Sequence, residues 1–163
     1  MSHSSCFLGD KIYVFAGRNA QGLIDSIESL KITIDPTQQF TKNWKLIYEE
    51  NEFEPREALL CAPLNESEIV IMGGYMNGEN SSDIFIFNTV DRYIEPRDVK
   101  YVPKFRHYNN TCFKVAHNKV VALVETDNDP HLITFEKKEF EHDRFAVLKV
   151  FSPYSHPPEQ LYQ

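Results

Sequence analysis

The sequence predicts an all-β protein built from about three similar four-stranded units. Three observations carry that expectation. Short apolar runs recur at near-constant spacing: Ile12-Tyr13-Val14-Phe15, Ile69-Val70-Ile71-Met72 and Val120-Val121-Ala122-Leu123 begin 57 and 51 residues apart. The cysteines keep the same step, with Cys6, Cys61 and Cys112 separated by 55 and 51 residues, each in a short run just before an apolar core. Two of the three cores then stop at small residues, Ala16-Gly17 and Gly73-Gly74, followed by a polar loop. A fixed period of this size is the mark of a repeat architecture.

Each unit reads in the same order. A cysteine-containing run comes first: SSCFL, LLCAP or TCFKV. A turn follows, at Gly9-Asp10, at residues 65–68 or at residues 117–119, and leads into the apolar core. After the polar loop, a third run covers Ser26–Ile34, Asp83–Phe87 or His131–Phe135. A fourth, aromatic-containing run closes the unit: residues 43–48, 92–96 and 144–151. Short β-branched and aromatic runs separated by turn residues read as strands. The segment SIESLKI has some helical periodicity, but its β-branched neighbours favour a strand. The units are expected at about 1–54, 55–104 and 105–151, with a tail at 152–163 and no low-complexity linker between them.

The glycines mark the places where a strand ends in a crowded, sharply turning stretch. Glycine alone adopts positive φ at little cost and lets another backbone approach where a Cβ would clash. Gly17, Gly73 and Gly74 are therefore the candidate structural turns.

This order of strand, turn, apolar run with glycine, polar loop, strand and aromatic resembles the kelch repeat. In the first unit the likeness is carried by HSSCFLGDKIYVFAG, SIESL and Trp44. In the second it is carried by PREALLCAPLNESEIVIMGG and SDIFIFN, with Tyr93 near the family's Trp position. The third unit departs from the pattern, since Val124 and Glu125 stand where the second has its glycines. The resemblance implies a kelch-type β-propeller whose blades are these units. Propellers usually close with four to eight blades. Three blades leave an open arc, as an excised piece, as half of a dimer, or as blades completing another chain's propeller. Each case predicts association through the faces left uncovered.

Composition narrows the functional classes. The net charge is −7 and the pI about 5.3, and basic residues are scattered, with Lys137-Lys138 the only basic pair. A nucleic-acid footprint is not expected, nor is any membrane-spanning stretch or signal peptide. The chain is read as soluble and cytoplasmic. Three cysteines give no even-numbered disulfide framework. Sequons at Asn65, Asn80 and Asn109 are read as chance matches.

Catalytic residues are not apparent. The six histidines share no metal-ligand spacing, and no phosphate-binding or nucleophile-elbow motif occurs. His3-Ser4-Ser5 alternates across a strand, which would place neighbours on opposite faces. No cofactor is expected, and nothing matches the copper site of the few enzymatic kelch propellers. The cysteines are read as packing residues, because equivalent points on stacked sheets lie about 10 Å apart while two thiolates on one zinc ion sit at Zn–S distances of about 2.3 Å.

The loops that follow the second strand of each unit hold Arg18-Asn19, Tyr75 with Asn77, and Thr126-Asp127. Residues ahead of the first strand add Arg56, Arg106, His107, Tyr108 and Asn109. The kelch resemblance implies that such loops gather at one channel mouth and bind a protein or peptide. Arg18, Asn19, Arg56, Tyr75, Asn77, Arg106, Tyr108 and Asn109 are thus the candidate partner-binding residues. Arginine grips carboxylates bidentately and tyrosine supplies rigid contact area. The competing reading pairs these arginines with the chain's own acids. The expected function is a non-catalytic protein-interaction module. The alternative is a structural subunit with its faces buried in a larger assembly.

Overall fold

A computed structural model describes residues 1–32, 44–48, 53–99, 102–106, 110–126, 130–140 and 143–151. All regular structure among them is β, arranged as three four-stranded antiparallel sheets and one small hairpin. None of the sheets closes on itself. Among the described residues no helix is long and apolar enough to cross a membrane.

The first sheet contains β1 (Ser4–Leu8), β2 (Lys11–Asn19), β3 (Gly22–Lys31) and β4 (Trp44–Tyr48) in sequential order. The second contains β5 (Leu60–Pro63), β6 (Glu68–Met72), β9 (Ile84–Asn88) and β10 (Tyr93–Arg97). Between β6 and β9 the chain forms a hairpin of β7 (Tyr75–Met76) and β8 (Glu79–Asn80). The third sheet contains β11 (Thr111–Ala116), β12 (Lys119–Glu125), β13 (Pro130–Phe140) and β14 (Asp143–Phe151). Every four-stranded sheet is thus one continuous stretch of chain. β13 runs five residues past the sequence expectation because its pairing with β14 continues to Phe140–Asp143.

The sheets are packed in chain order, and strand alternation shows how. In β6, Ile69 and Ile71 point one way, alongside Phe85 and Phe87 of β9. They join Tyr13, Phe15 and Ile27 of the first sheet in one core. The intervening Val70 and Met72, with Ile84 and Ile86, point the other way and meet Val120, Ala122, Val124, Ile133 and Phe135 of the third sheet. Side chains alternate across a strand, so a continuous apolar run such as EIVIM is what a sheet covered on both faces requires. All five of its residues are buried. Edge-to-face contacts of Phe87 with Tyr13 and Phe15, at 6.3 and 5.9 Å between centroids, tie the first core together.

The outer two sheets have one covered face each. Across the first, Phe7, Ile12, Leu30 and Trp44 form a row of directly opposed residues facing away from the second sheet. Phe7 is 56% exposed and Leu46, one row on, 52%. Across the third, Phe113 opposes Val121, and Leu123 opposes Leu132. Phe113, Leu123 and Leu132 are all exposed.

The glycines sit where the chain turns under crowding. Gly73 and Gly74 have φ of +66° and +107°. A Cβ on Gly73 would lie 2.5 Å from the Phe105 ring, and one on Gly74 3.2 Å from the Glu57 carbonyl oxygen and from the Arg56 side chain. Gly17, at φ +112°, follows Ala16 at +52° in a bulge that shifts the β2–β3 register. Its amide donates to the Arg56 carbonyl at 2.8 Å, joining the first sheet to the approach strand of the second.

Candidate functional site

The loop residues singled out in the sequence lie near one edge of the stack, but most are engaged with the chain itself. Arg56 is the clearest correction. It is 1% exposed, with its guanidinium carbon 4.9 Å from the ring centroids of both Phe53 and Phe85. It donates to the carbonyl oxygens of Glu54 and Gly73, at 3.1 and 3.2 Å, and to Asp83 at 3.1 Å. A guanidinium between two aromatic faces, bonded to two carbonyls and a carboxylate, is a structural post. It holds the Gly73 turn and the start of β9 to the entry of the second sheet, and it is closed to a partner.

Arg18 extends toward the same entry segment. It makes a two-pronged pair with Glu57, at 3.0 and 2.9 Å. That hydrogen bonding raises the guanidinium pKa further above its ordinary range. Arg106 pairs with Glu125 at 3.4 Å, and its amide donates to the Glu125 carbonyl at 2.7 Å. The arginines expected to grip a partner's carboxylates thus hold carboxylates of their own chain.

The polar positions are mostly occupied by turns. The Asn19 carboxamide oxygen accepts from the amides of Gln21 and Gly22, at 2.8 and 3.1 Å, and closes the β2–β3 turn. Asn77 and Gly78, at φ +51° and +87°, form the tight turn of β7–β8. Tyr75 pairs through its backbone with Glu57, at 3.1 and 2.7 Å in the two directions. His107, Tyr108, Asn109 and Asp127 fall outside the described residues, as does the tail 152–163. Thr126 is buried.

The cysteines approach more closely than the sheet spacing implied, because β1, β5 and β11 are adjacent edge strands of the three sheets. Cys112 donates from its thiol to the Cys61 carbonyl at 3.1 Å, and Ser4 Oγ lies 3.2 Å from Cys61 Sγ. The Cys6 thiol is hydrogen-bonded to Cys61, which with burial pushes its pKa strongly up. Burial pushes Cys112 up to about 12. Cys6 and Cys112 are therefore protonated, unreactive thiols at neutral pH. No group of three or more His, Cys, Asp or Glu side chains among the described residues is arranged to hold a metal ion.

Sequence reasoning missed a polar cluster at the opposite edge. Asn65 donates to Glu68 and to Asn118, at 2.6 and 2.8 Å, while Lys137 reaches both Glu68 oxygens at 2.7 and 2.6 Å. It links the second sheet to the third. Its Lys137–Glu68 pair joins residues 69 apart in sequence, so only their buried convergence reveals it. Asn65, the first sequon, is buried within this network.

No protein-family model matches the chain, and no curated protein matches it well enough to stand as a relative.

Proposed function

We propose that the chain is a segment of a kelch-type β-propeller, three blades long, that works as a non-catalytic protein-interaction module. The reading is supported by the repeated strand grammar, by glycines at positive φ near the end of β2 and just after β6, and by three four-stranded sheets packed in chain order. The single observation that carries it is the pair of uncovered apolar faces, Phe7, Trp44 and Leu46 at one end and Phe113, Leu123 and Leu132 at the other. Large apolar surfaces left at both ends of a stack are association surfaces.

The loop edge is the weaker candidate, since Arg18, Arg56 and Arg106 are each paired within the chain. This favours the structural version of the reading, in which the end faces meet further blades in the same assembly. Burying about 500 Å² of apolar surface is worth on the order of 12 kcal/mol before association costs. Light scattering at micromolar concentration tests the proposal. The expected result is a species heavier than the 19.0 kDa chain, or one that retains a protein partner through gentle purification. A monodisperse, folded monomer that binds no apolar dye overturns it.

A further inference from the structure

The fold gathers four cations that the sequence keeps apart. Lys11, Lys31, Lys45 and Arg92 line one cavity of about 270 Å³ between the first and second sheets, in a chain whose net charge is −7. Lys11 begins β2 and Lys31 ends β3, and the two stand directly opposite each other. Lys45 lies on the same face in β4, opposite Ser29. Arg92 comes from the second sheet, in the turn between β9 and β10. Tyr13 and Thr89 line the cavity as well, and among the described residues no carboxylate does.

Two features of this arrangement work against stability unless an anion is present. Like charges directly opposed across a strand pair repel. Asp10 lies 3.0 Å from Lys31 and also attracts Lys11, but among the described residues Lys11, Lys45 and Arg92 are in no ion pair. Arg92 also stands at φ +59°, a left-handed conformation that glycine or asparagine adopts more readily. A residue held there against its backbone preference, with its charge beside a cavity, points to a role for the side chain.

We propose that this cavity binds a phosphate monoester dianion, through the Lys11, Lys45 and Arg92 cations with Lys31 at its rim. Three cations that form no ion pair among the described residues match a doubly charged oxyanion better than a single carboxylate. The site is independent of the end faces, so it goes beyond the assembly reading.

Calorimetric titration of the full chain at constant ionic strength tests it. The probes are inorganic phosphate, a short phosphoserine peptide and the same peptide unphosphorylated. Saturable binding of a phosphate-bearing probe is expected, weakened at least tenfold in a Lys45→Gln/Arg92→Gly variant. Arg92→Gly relieves the left-handed backbone, so the variant's melting midpoint is not expected to fall. If it does fall, Lys45→Gln alone, on an exposed strand, carries the test. Tighter binding of the phosphopeptide assigns a phosphorylated protein segment as ligand, and equal binding assigns free phosphate. Absence of saturable binding, undiminished binding by the variants, or equal binding of the unphosphorylated peptide overturns the proposal.

Discussion

The second and third sheets have the same strand order of pairing along the chain but opposite fates for their side chains. In β6, every residue from Glu68 to Met72 is buried. In β12, burial alternates, with Val120, Ala122 and Val124 covered and Leu123 exposed. The sequences alone do not separate them, since Val120-Val121-Ala122-Leu123 is as apolar as Ile69-Val70-Ile71-Met72. The difference is the number of neighbours. An apolar strand is a statement about how many faces are meant to be covered, and the third sheet's outer face keeps Phe113, Leu123 and Leu132 exposed.

The largest test of this contrast pairs two phenylalanines. Phe87, fully buried between the first and second sheets, is expected to cost about 3–5 kcal/mol on truncation to Ala. Phe113, on the third sheet's outer face and 53% exposed, is expected to change the stability of the dissociated chain by less than about 0.5 kcal/mol. Urea unfolding of both variants measures the difference. If assembly covers the third sheet, Phe113→Asp lowers the mass seen by light scattering while Phe113→Ala leaves the dissociated chain's midpoint in place. Equal losses from the Phe87 and Phe113 truncations in the isolated chain remove the distinction.

The turn chemistry gives a smaller effect. Gly74→Val is expected to destabilise by more than about 1 kcal/mol, because a β-branched residue suits neither positive φ nor the close contacts with Glu57 and Leu59. The third sheet has Val124 and Glu125 at the corresponding step, and there β12 simply continues, Glu125 opposing Pro130. A thermal melt of Gly74→Val unchanged from the parent would mean that the two turns are interchangeable.

The smallest effect is expected at the loop edge. Arg18→Ala removes the exposed pair with Glu57, and surface pairs contribute little once solvent and salt screen them. Its melting midpoint should match the parent's in 0.5 M salt, chosen at roughly five times the ionic strength where the screening length is about 10 Å. A clear loss there would make this pair part of the framework, as Arg56 is.

Much of the fold was legible because alternation and turn residues are local signals. The three cysteine-bearing strands, the three apolar cores and the closing strands at Trp44, Tyr93 and Phe145 all fall on observed β-strands. The β7–β8 hairpin interrupts the polar loop that the repeat pattern predicts, and Asn77-Gly78 between short strands is its local signal, favouring a left-handed tight turn. Arg56 was misplaced for a different reason. An arginine beside Pro55 looks like a surface residue until Phe53 and Phe85, the latter 29 residues away, are brought to its two faces. The same holds for the Asn65–Glu68–Asn118–Lys137 cluster and the basic cavity. Long-range convergence of polar side chains leaves no periodic trace.

That each sheet is a single continuous stretch of chain has a consequence for synthesis. The first sheet can pair its strands as soon as residue 48 has emerged, and the second needs nothing later than Arg97. Strand pairing is therefore settled locally and in order, with no strand waiting for a distant partner. The covering of faces follows a different timetable. Ile69, Ile71, Phe85 and Phe87 arrive to cover the first sheet's inner face, then the third sheet does the same for Val70, Met72, Ile84 and Ile86. As each sheet forms, the growing stack presents an apolar face awaiting the next one, and the third sheet, with Phe113, Leu123 and Leu132 exposed, presents another.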